Sequence, residues 1–289
     1  MSIHTPDSVS HQLSTSNHDR NAVNMTYVYP VISRRAGGVS IGINLNPNNA
    51  CNWRCAYCQV PNLVRGVAPE IDLDCLGSEL QVMLDDVLHA DFMARRVPED
   101  CRRLCDVAIS GNGEPTSCRA FDAVLAVITK QMNSRGLNIP LRLITNGSYI
   151  HKAHVQAGMR TMSSNHGEVW IKVDSVTDEG IQRINGIKLD EQRLRQQVEV
   201  AAHLCPTWIQ TCMVAWDGQL PAAEEVSAYL QFLTRLKQEH VPLRGVMLYG
   251  LARPSLQREA SQLMALGSEW MEDMAVQIRQ CGYDVTLSV

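Results

Sequence analysis

The chain repeats one pattern from about residue 39 onward: a short run rich in β-branched residues is followed by a longer stretch in which apolar residues have helical spacing. This alternation is typical of parallel strands joined by crossover helices. It predicts an α/β fold, either an open, partial barrel or a doubly wound sheet. The six predicted strands cover residues 39–45, 106–110, 140–144, 168–174, 208–214 and 244–250.

Helices are predicted where apolar residues recur at intervals of three and four between the strands. A last long helix is predicted near 256–280, before a short terminal strand over 283–289. Residues 1–30 are mostly polar and are predicted to form a mobile tail, which leaves 31–289 as the folded core. The helical stripes between the strands cover residues 73–88, 121–132, 194–202 and 226–236.

The expected compartment follows from features that the sequence lacks. Its apolar runs are far shorter than the roughly 20 residues that cross a bilayer, and its amino terminus has no apolar signal core. We therefore expect a cytoplasmic protein without membrane contact, in which the ten cysteines stay reduced and serve a purpose other than disulfides. The net charge of −4 argues against a protein that coats nucleic acid, but it does not exclude a local basic site.

Three cysteines lie close together on a loop just after the first predicted strand. Cys51, Cys55 and Cys58 have the spacing C-x3-C-x2-C, and their thiolates can converge on one inorganic centre. A zinc site usually has four protein ligands, and an iron–sulfur electron carrier usually has one cysteine for each iron. No second CxxC or nearby HxxxH supplies a fourth ligand. Three ligands with one open position are typical of a catalytic centre.

Polar motifs follow the second, third and fourth predicted strands. After the second, Gly111, Asn112, Gly113 and Glu114 predict a tight turn that presents backbone groups and a carboxylate to a ligand. After the third, Asn146 lies in a Thr-Asn-Gly turn.

The fourth predicted strand carries charged residues at its end. Lys172 and Asp174 share one face by the two-residue period of a strand. Charges that point into a barrel opening are costly unless they are paired or bind a polar ligand. Lys172 and Asp174 therefore either form an internal ion pair or bind a polar ligand. After the sixth predicted strand, Arg253 precedes a proline and is a candidate for contact with a substrate.

Together these motifs resemble those of the radical S-adenosylmethionine enzymes. The three-cysteine spacing, with Tyr57 just before Cys58, is similar to the signature of that family, and the Gly-Glu-Pro phrase at Glu114 is similar to its GGE-type motif. The Thr-Asn-Gly and Lys-x-Asp phrases follow in the order found in the family. The resemblance implies a partial (β/α)6 TIM-like barrel of parallel strands with outer helices.

The same resemblance implies a cofactor pair and a reaction. It implies one 4Fe-4S cluster on Cys51, Cys55 and Cys58, whose fourth iron is chelated by the amino and carboxylate groups of S-adenosylmethionine. The reduced cluster would cleave S-adenosylmethionine to a 5'-deoxyadenosyl radical that abstracts hydrogen from a substrate. That substrate is a small molecule, a peptide or an RNA, and the electron donor is a protein such as flavodoxin or ferredoxin.

Roles for single residues follow from the resemblance as well. It assigns the amino group of S-adenosylmethionine to Glu114 and the backbone of the preceding turn, and the ribose and carboxylate to Lys172 and Asp174. It places Tyr57 near the adenine and Asn146 in the same cofactor site.

Three alternatives stay open at this point. A non-catalytic iron–sulfur or redox-sensing protein would need the cysteines alone. A glycyl-radical-type activase shares several motifs, but such enzymes tend to carry Asp before Lys on the fourth strand, whereas here Lys172 precedes Asp174. A tRNA-modifying enzyme related to the wyosine-base synthases is favoured by the Ala-Arg-Pro phrase at Arg253. The seven other cysteines are expected to act mostly as small buried hydrophobic groups.

Overall fold

The computed structural model describes residues 12–14, 23–33 and 37–288. The strands in these ranges are β1 Val28–Ser33, β2 Gly38–Ile43, β3 Ala50–Cys51, β4 Val64–Arg65, β5 Leu104–Ile109, β6 Leu141–Thr145, β7 Gly167–Lys172, β8 Thr207–Cys212, β9 Ala215–Trp216, β10 Leu243–Tyr249, β11 Leu263–Met264 and β12 Val285–Ser288. The helices are α1 Leu73–His89, α2 Phe92–Arg96, α3 Phe121–Ser134, α4 Ala153–Ser163, α5 Asp178–Asn185, α6 Glu191–Leu204, α7 Ala223–Gln238 and α8 Ser268–Gln280.

Eight of these strands form one sheet in the order β1-β2-β5-β6-β7-β8-β10-β12. Every neighbouring pair in it is parallel except β1 and β2, which are antiparallel. The sheet curls into a half-barrel, so the predicted partial barrel with parallel strands is confirmed. The six strands predicted from the sequence correspond to β2, β5, β6, β7, β8 and β10.

The two faces of the sheet differ in chemistry because successive side chains of a strand point to opposite sides. One face carries fully buried aliphatic residues, such as Ile41, Val107, Leu143 and Ile171, which belong to the main hydrophobic core together with residues of the helices. The other face borders a cavity and carries mainly polar and charged residues. These include Ser40, Asp106, Arg142, Lys172 and Gln210.

The predicted boundary between tail and core, at residue 30, falls inside strand β1. Strand β1 already begins at Val28, and it pairs with β2 at the edge of the sheet. The backbone amides of Thr26, Tyr27 and Val28 donate hydrogen bonds to the carboxylate of Glu79 on α1, at 2.6, 2.8 and 3.2 Å. Residues 27–32 are themselves apolar, and only the polar stretch before them favours a tail. Most of the predicted tail lies outside the described residues.

The prediction of a long helix near 256–280 is wrong in its first half. Helix α8 begins at Ser268, and the segment before it contains a 3-10 turn at Ala260–Gln262 and strand β11. The segment is attached to the cysteine loop, because the Ser255 hydroxyl donates to the Ala56 carbonyl at 2.6 Å and the Leu256 amide donates to the Cys58 carbonyl at 3.0 Å. These tertiary contacts outweigh the local helical pattern. The predicted terminal strand is present as β12.

No helix in the described part of the chain combines the length and the apolar composition that a membrane span needs.

Candidate functional site

The carboxyl ends of the parallel strands border one cavity of about 340 Å³. Because parallel strands bring these ends to the same edge of the sheet, motifs that are distant in sequence meet there. Of the residues selected from the sequence, all but Asp174 line this cavity: Cys51, Cys55, Tyr57, Cys58, Gly111, Asn112, Gly113, Glu114, Asn146, Lys172 and Arg253.

The cysteine loop is held in place from the end of α5. The amides of Arg54 and Ala56 donate to the carbonyls of Asn185 and Ile184 at 3.0 and 2.7 Å. The side-chain amide of Asn185 also donates to the Cys55 sulfur at 3.5 Å. These contacts fix the position of the loop relative to the barrel without using the cysteine backbone.

Two thiols of the loop, those of Cys51 and Cys55, are protonated at neutral pH in the absence of a cation. Burial raises the pKa of Cys51 and of Cys55 to about 12 in each case. Metal binding must therefore displace protons from both thiols. In the described ranges, no three His, Cys, Asp or Glu side chains are placed to hold a single metal ion.

We expect Cys51 and Cys55 of the metal-free protein to react slowly with iodoacetamide at pH 8. A pKa near 12 leaves roughly a thousandfold less thiolate than a free cysteine has at that pH. The rate should rise about tenfold for each pH unit, since thiolate is the reacting species. Peptide mass spectrometry, with glutathione as the reference thiol, measures the rate at each site. Alkylation at the glutathione rate would contradict the expectation.

The turn after β5 contains glycine because it touches the cysteine loop. A Cβ atom on Gly113 would lie 1.9 Å from the carbonyl oxygen of Ala50, the residue before Cys51. A Cβ atom on Gly111 would lie 2.3 Å from the side-chain oxygen of Asn44. Any larger residue would push the turn away from the loop. Close approach therefore explains these two glycines.

Glu114 connects two turns of the site. Its side chain is buried, and its Oε1 atom accepts hydrogen bonds from the Thr116 amide at 3.1 Å, from the Thr116 hydroxyl, and from the Thr145 hydroxyl at 2.5 Å. Its Oε2 atom accepts from the Asn146 amide at 2.7 Å. Burial raises the pKa of Glu114, although these hydrogen bonds act in the opposite direction. Each carboxylate oxygen has about two acceptor positions, and Oε2 accepts one of these four hydrogen bonds, so its second position can face a ligand.

We expect Glu114→Gln to lower the free energy of unfolding by about 1–3 kcal/mol. The amide nitrogen of glutamine is a donor, and at either position it would face an N–H or O–H group that now donates to Glu114. Urea unfolding of the metal-free protein measures the change, with the exposed Glu272→Gln as the matched control. Equal stability of the two variants would argue against the connecting role of Glu114.

Lys172 lies in a cluster of hydroxyl groups at the end of β7. Its ammonium donates to the hydroxyls of Tyr57 and Tyr249, at 2.7 and 3.0 Å. Burial alone would lower the pKa of Lys172, but the contacts with Tyr249 and the carboxylate of Asp174 outweigh burial and raise it. The side chain is therefore a partly buried cation at neutral pH.

The position of Asp174 differs from its prediction. Strand β7 ends at Lys172, so Asp174 follows the strand and does not line the cavity with Lys172. Its carboxylate accepts hydrogen bonds from the Cys212 amide at 2.9 Å, from Asn185 at 2.8 Å and from the Tyr57 hydroxyl at 2.5 Å. The Tyr57 hydroxyl thus connects Lys172 with Asp174. Asp174 acts on the cavity through these partners.

A second polar group on the inner wall was missed from the sequence. Arg142 forms ion pairs with Asp106 and, at 2.5 Å, with Glu168, and its guanidinium lies 4.9 Å from the ring centre of Trp170. Burial raises the pKa of Asp106 despite the Arg142 pairing. The sequence contains one signal for this pair, namely a charged residue inside each of two predicted apolar strands: Asp106 in 106–110 and Arg142 in 140–144. Tyr249 and Asn185 were missed because nothing in their local sequence sets them apart.

The other seven cysteines depart partly from the expectation that most of them are buried. None of the ten cysteines, all of which lie in the described residues, forms a disulfide. Cys212 lines the cavity at the end of β8. Buried positions are held by Cys118, Cys205 and Cys212, and partly exposed ones by Cys75, Cys101, Cys105 and Cys281.

Comparisons with known sequences do not assign the chain to a family. No protein-family model matches the chain. Over 133 residues it is 28% identical to a protein of Brachyspira hyodysenteriae described as GTPase Obg, a match that covers 45% of this chain and 17% of that protein. The chain therefore spans a small part of the length of this relative.

Comparisons with solved structures are informative. The fold is similar to TYW1 with a lysine-pyruvate adduct bound (TM-score 0.57, 15% identity, 86% of this chain and 74% of that chain). It is also similar to a radical SAM methyltransferase from Sphaerobacter thermophilus (TM-score 0.59, 11% identity, 90% and 68%). A third similar structure is anSMEcpe with bound AdoMet (TM-score 0.54, 17% identity, 85% and 62%). At these identities the similarity is one of fold.

Proposed function

The protein has the fold of the radical S-adenosylmethionine enzymes, and on that premise we propose that it is one of them. In this proposal Cys51, Cys55 and Cys58 hold one 4Fe-4S cluster, and S-adenosylmethionine binds beside it in the cavity. When bound, this pair of cofactors supplies the reductive cleavage of a carbon–sulfur bond that yields methionine and a 5'-deoxyadenosyl radical. The hydrogen donor is an unidentified substrate.

One observation carries the proposal: the three thiols and the motifs at three further strand ends border a single cavity. A non-catalytic iron–sulfur protein would need the thiols, but it would not need the glycine turn, the carboxylate of Glu114 and the ammonium of Lys172 around the same space. The match of the motifs in both order and position therefore favours an enzyme.

The residues of the chain have separate tasks in the proposed site. The free acceptor position on Glu114 suits the ammonium of S-adenosylmethionine, together with backbone groups of the turn Gly111 to Gly113. The partly buried cation of Lys172 suits a carboxylate or another anionic group. Asn146 is fixed beside the loop by a 2.9 Å hydrogen bond from its side chain to Asn52. Tyr57 and Asp174 orient Lys172 through the shared hydroxyl.

The proposal is tested by anaerobic reconstitution with iron and sulfide, followed by addition of S-adenosylmethionine and dithionite. We expect 5'-deoxyadenosine, which chromatography detects and which dithionite alone does not produce. A protein that assembles its cluster, yet neither binds nor cleaves S-adenosylmethionine, would be a non-catalytic iron–sulfur protein instead.

A further inference from the structure

A second pocket of about 540 Å³ lies on the outer side of the cysteine loop. Four of the residues that line it are arginines, one is a glutamate and one is a tryptophan. The pocket is thus locally basic in a chain whose net charge is −4. These charged and aromatic residues are Arg54, Arg65, Arg183, Arg258, Glu259 and Trp216, and we call their surface the arginine pocket.

The arginine pocket and the inner cavity share the cysteine loop as a wall. Arg54 lies between Cys51 and Cys55 in sequence and lines the arginine pocket, whereas the two cysteines line the cavity. Arg65 pairs with Cys51 in the ladder of β3 and β4, and its guanidinium donates to the carbonyls of Asn52 and Gly186, at 2.5 Å each. A molecule bound in the arginine pocket therefore contacts the same loop that carries the thiols.

The two remaining arginines of the pocket lie at its surface. Arg183 and Arg258 are exposed, and Arg183 stacks on the Trp216 ring with 4.5 Å between the guanidinium and the ring centre. Glu259 is the acidic group in the lining, and it is already paired with Arg54 at 3.4 Å and with Arg258 at 2.5 Å. Arginine beside tryptophan is typical of residues that contribute strongly to protein interfaces.

We propose that the arginine pocket is the docking surface for an acidic electron-carrier protein that reduces the cluster. This inference rests on the proposed function, because only a redox centre on the three cysteines needs such a partner. Charge complementarity selects an acidic surface. The shared wall selects an electron carrier over other acidic proteins. An RNA would also suit arginine and tryptophan, but the net negative charge of the chain counts against it.

The electron balance of the step is simple with a flavodoxin as the donor. The anionic hydroquinone of its flavin loses one electron and becomes the neutral semiquinone. The cluster gains that electron and passes from its 2+ to its 1+ state. No proton and no other reactant is required.

The test uses the charge-reversed pair Arg183→Glu/Arg258→Glu in the reconstituted protein. Its control is Arg160→Glu/Arg279→Glu, which changes two exposed arginines outside the pocket by the same charge. Calorimetric titration with oxidised flavodoxin measures docking without any catalysis. We expect the pocket pair to weaken binding about tenfold or more at low salt and the control pair to change it less than about twofold.

A second readout separates docking from catalysis. With reduced flavodoxin as the donor, the pocket pair should form 5'-deoxyadenosine about tenfold more slowly, whereas dithionite, which needs no docking, should support the unchanged rate. Failure of dithionite cleavage in the unmodified protein would refute the proposed function, while the titration would still report on docking.

Three results would overturn the docking proposal. One is equal binding of flavodoxin by the pocket pair and the unmodified protein. Another is equal loss in the pocket and control pairs, which would reflect net charge alone. The third is a pocket pair that no longer binds bulk tRNA in a gel-shift assay but still binds flavodoxin as the unmodified protein does. That result would assign the surface to RNA.

Discussion

Cys55→Ala should reconstitute with little iron and form no detectable 5'-deoxyadenosine, a loss of more than about 10³-fold, since an iron–sulfur cluster depends on each of its thiolate ligands. Cys55 is the cysteine that Asn185 contacts at the centre of the loop. Without its sulfur only two thiolates remain, and the cluster has two irons without a protein ligand instead of one. Iron and sulfide analysis, the visible absorption of the cluster and chromatography of the reaction measure the three consequences.

The matched control for this change is Cys281→Ala. Cys281 is a partly exposed thiol at the end of α8, away from the cavity, and its loss should leave iron content and cleavage as they are. If Cys55→Ala kept the iron and the activity of the unmodified protein, the assignment of the cluster to this loop would be wrong. If both variants lost iron equally, the loss would reflect general destabilisation.

Lys172→Met should lower the free energy of unfolding by about 1–3 kcal/mol. Methionine has a similar length but no charge, so the buried carboxylate of Asp174 would lose the cation that faces it through Tyr57. The hydroxyls of Tyr57 and Tyr249 would also lose a charged donor, and hydrogen bonds to charged groups contribute more than neutral ones. Urea unfolding of the metal-free protein measures this effect, with the exposed Lys130→Met on α3 as a control that should change stability by less than about 0.5 kcal/mol.

The pH dependence of the Lys172 effect has a definite sign. The folded pKa of Lys172 is raised above its unfolded value. The stability that it contributes is therefore fully present below the unfolded pKa, and it is lost only as the pH rises through the folded pKa. The difference between the variant and the unmodified protein should stay constant from neutral to mildly alkaline pH. A difference that disappears near neutral pH would mean that Lys172 is uncharged in the folded protein.

The same variant separates the cofactor role from the structural role. If Lys172 contacts an anionic group of S-adenosylmethionine, Lys172→Met should weaken binding of S-adenosylmethionine by about tenfold or more even where the protein is fully folded. Equilibrium dialysis on the reconstituted variant tests this at low temperature. Unchanged affinity in a folded, cluster-containing variant would leave Lys172 a structural role only.

The parallel strands and their order were predictable because strand and helix periods are local properties of a sequence. Six predicted strands correspond to strands of the sheet, and the motifs after them reach one cavity because parallel strands end at one edge. The errors have a common cause. The segment before α8 has a helical pattern of its own, but it is attached to the cysteine loop. Strand β1 contains Pro30, which interrupts its strand pattern, but it completes the sheet edge beside β2.

Contacts between distant residues lie beyond any local pattern. The sequence alone determined which side chains occur at each strand end and therefore the class of chemistry at the cavity. It could not reveal that Tyr57 connects Lys172 with Asp174, or that Glu114 bonds to the turn around Asn146. Nor could it bring Arg54, Arg65, Arg183 and Arg258 to one pocket. Such contacts depend on the curvature of the sheet and on the path of each loop, which arise only when the whole chain packs.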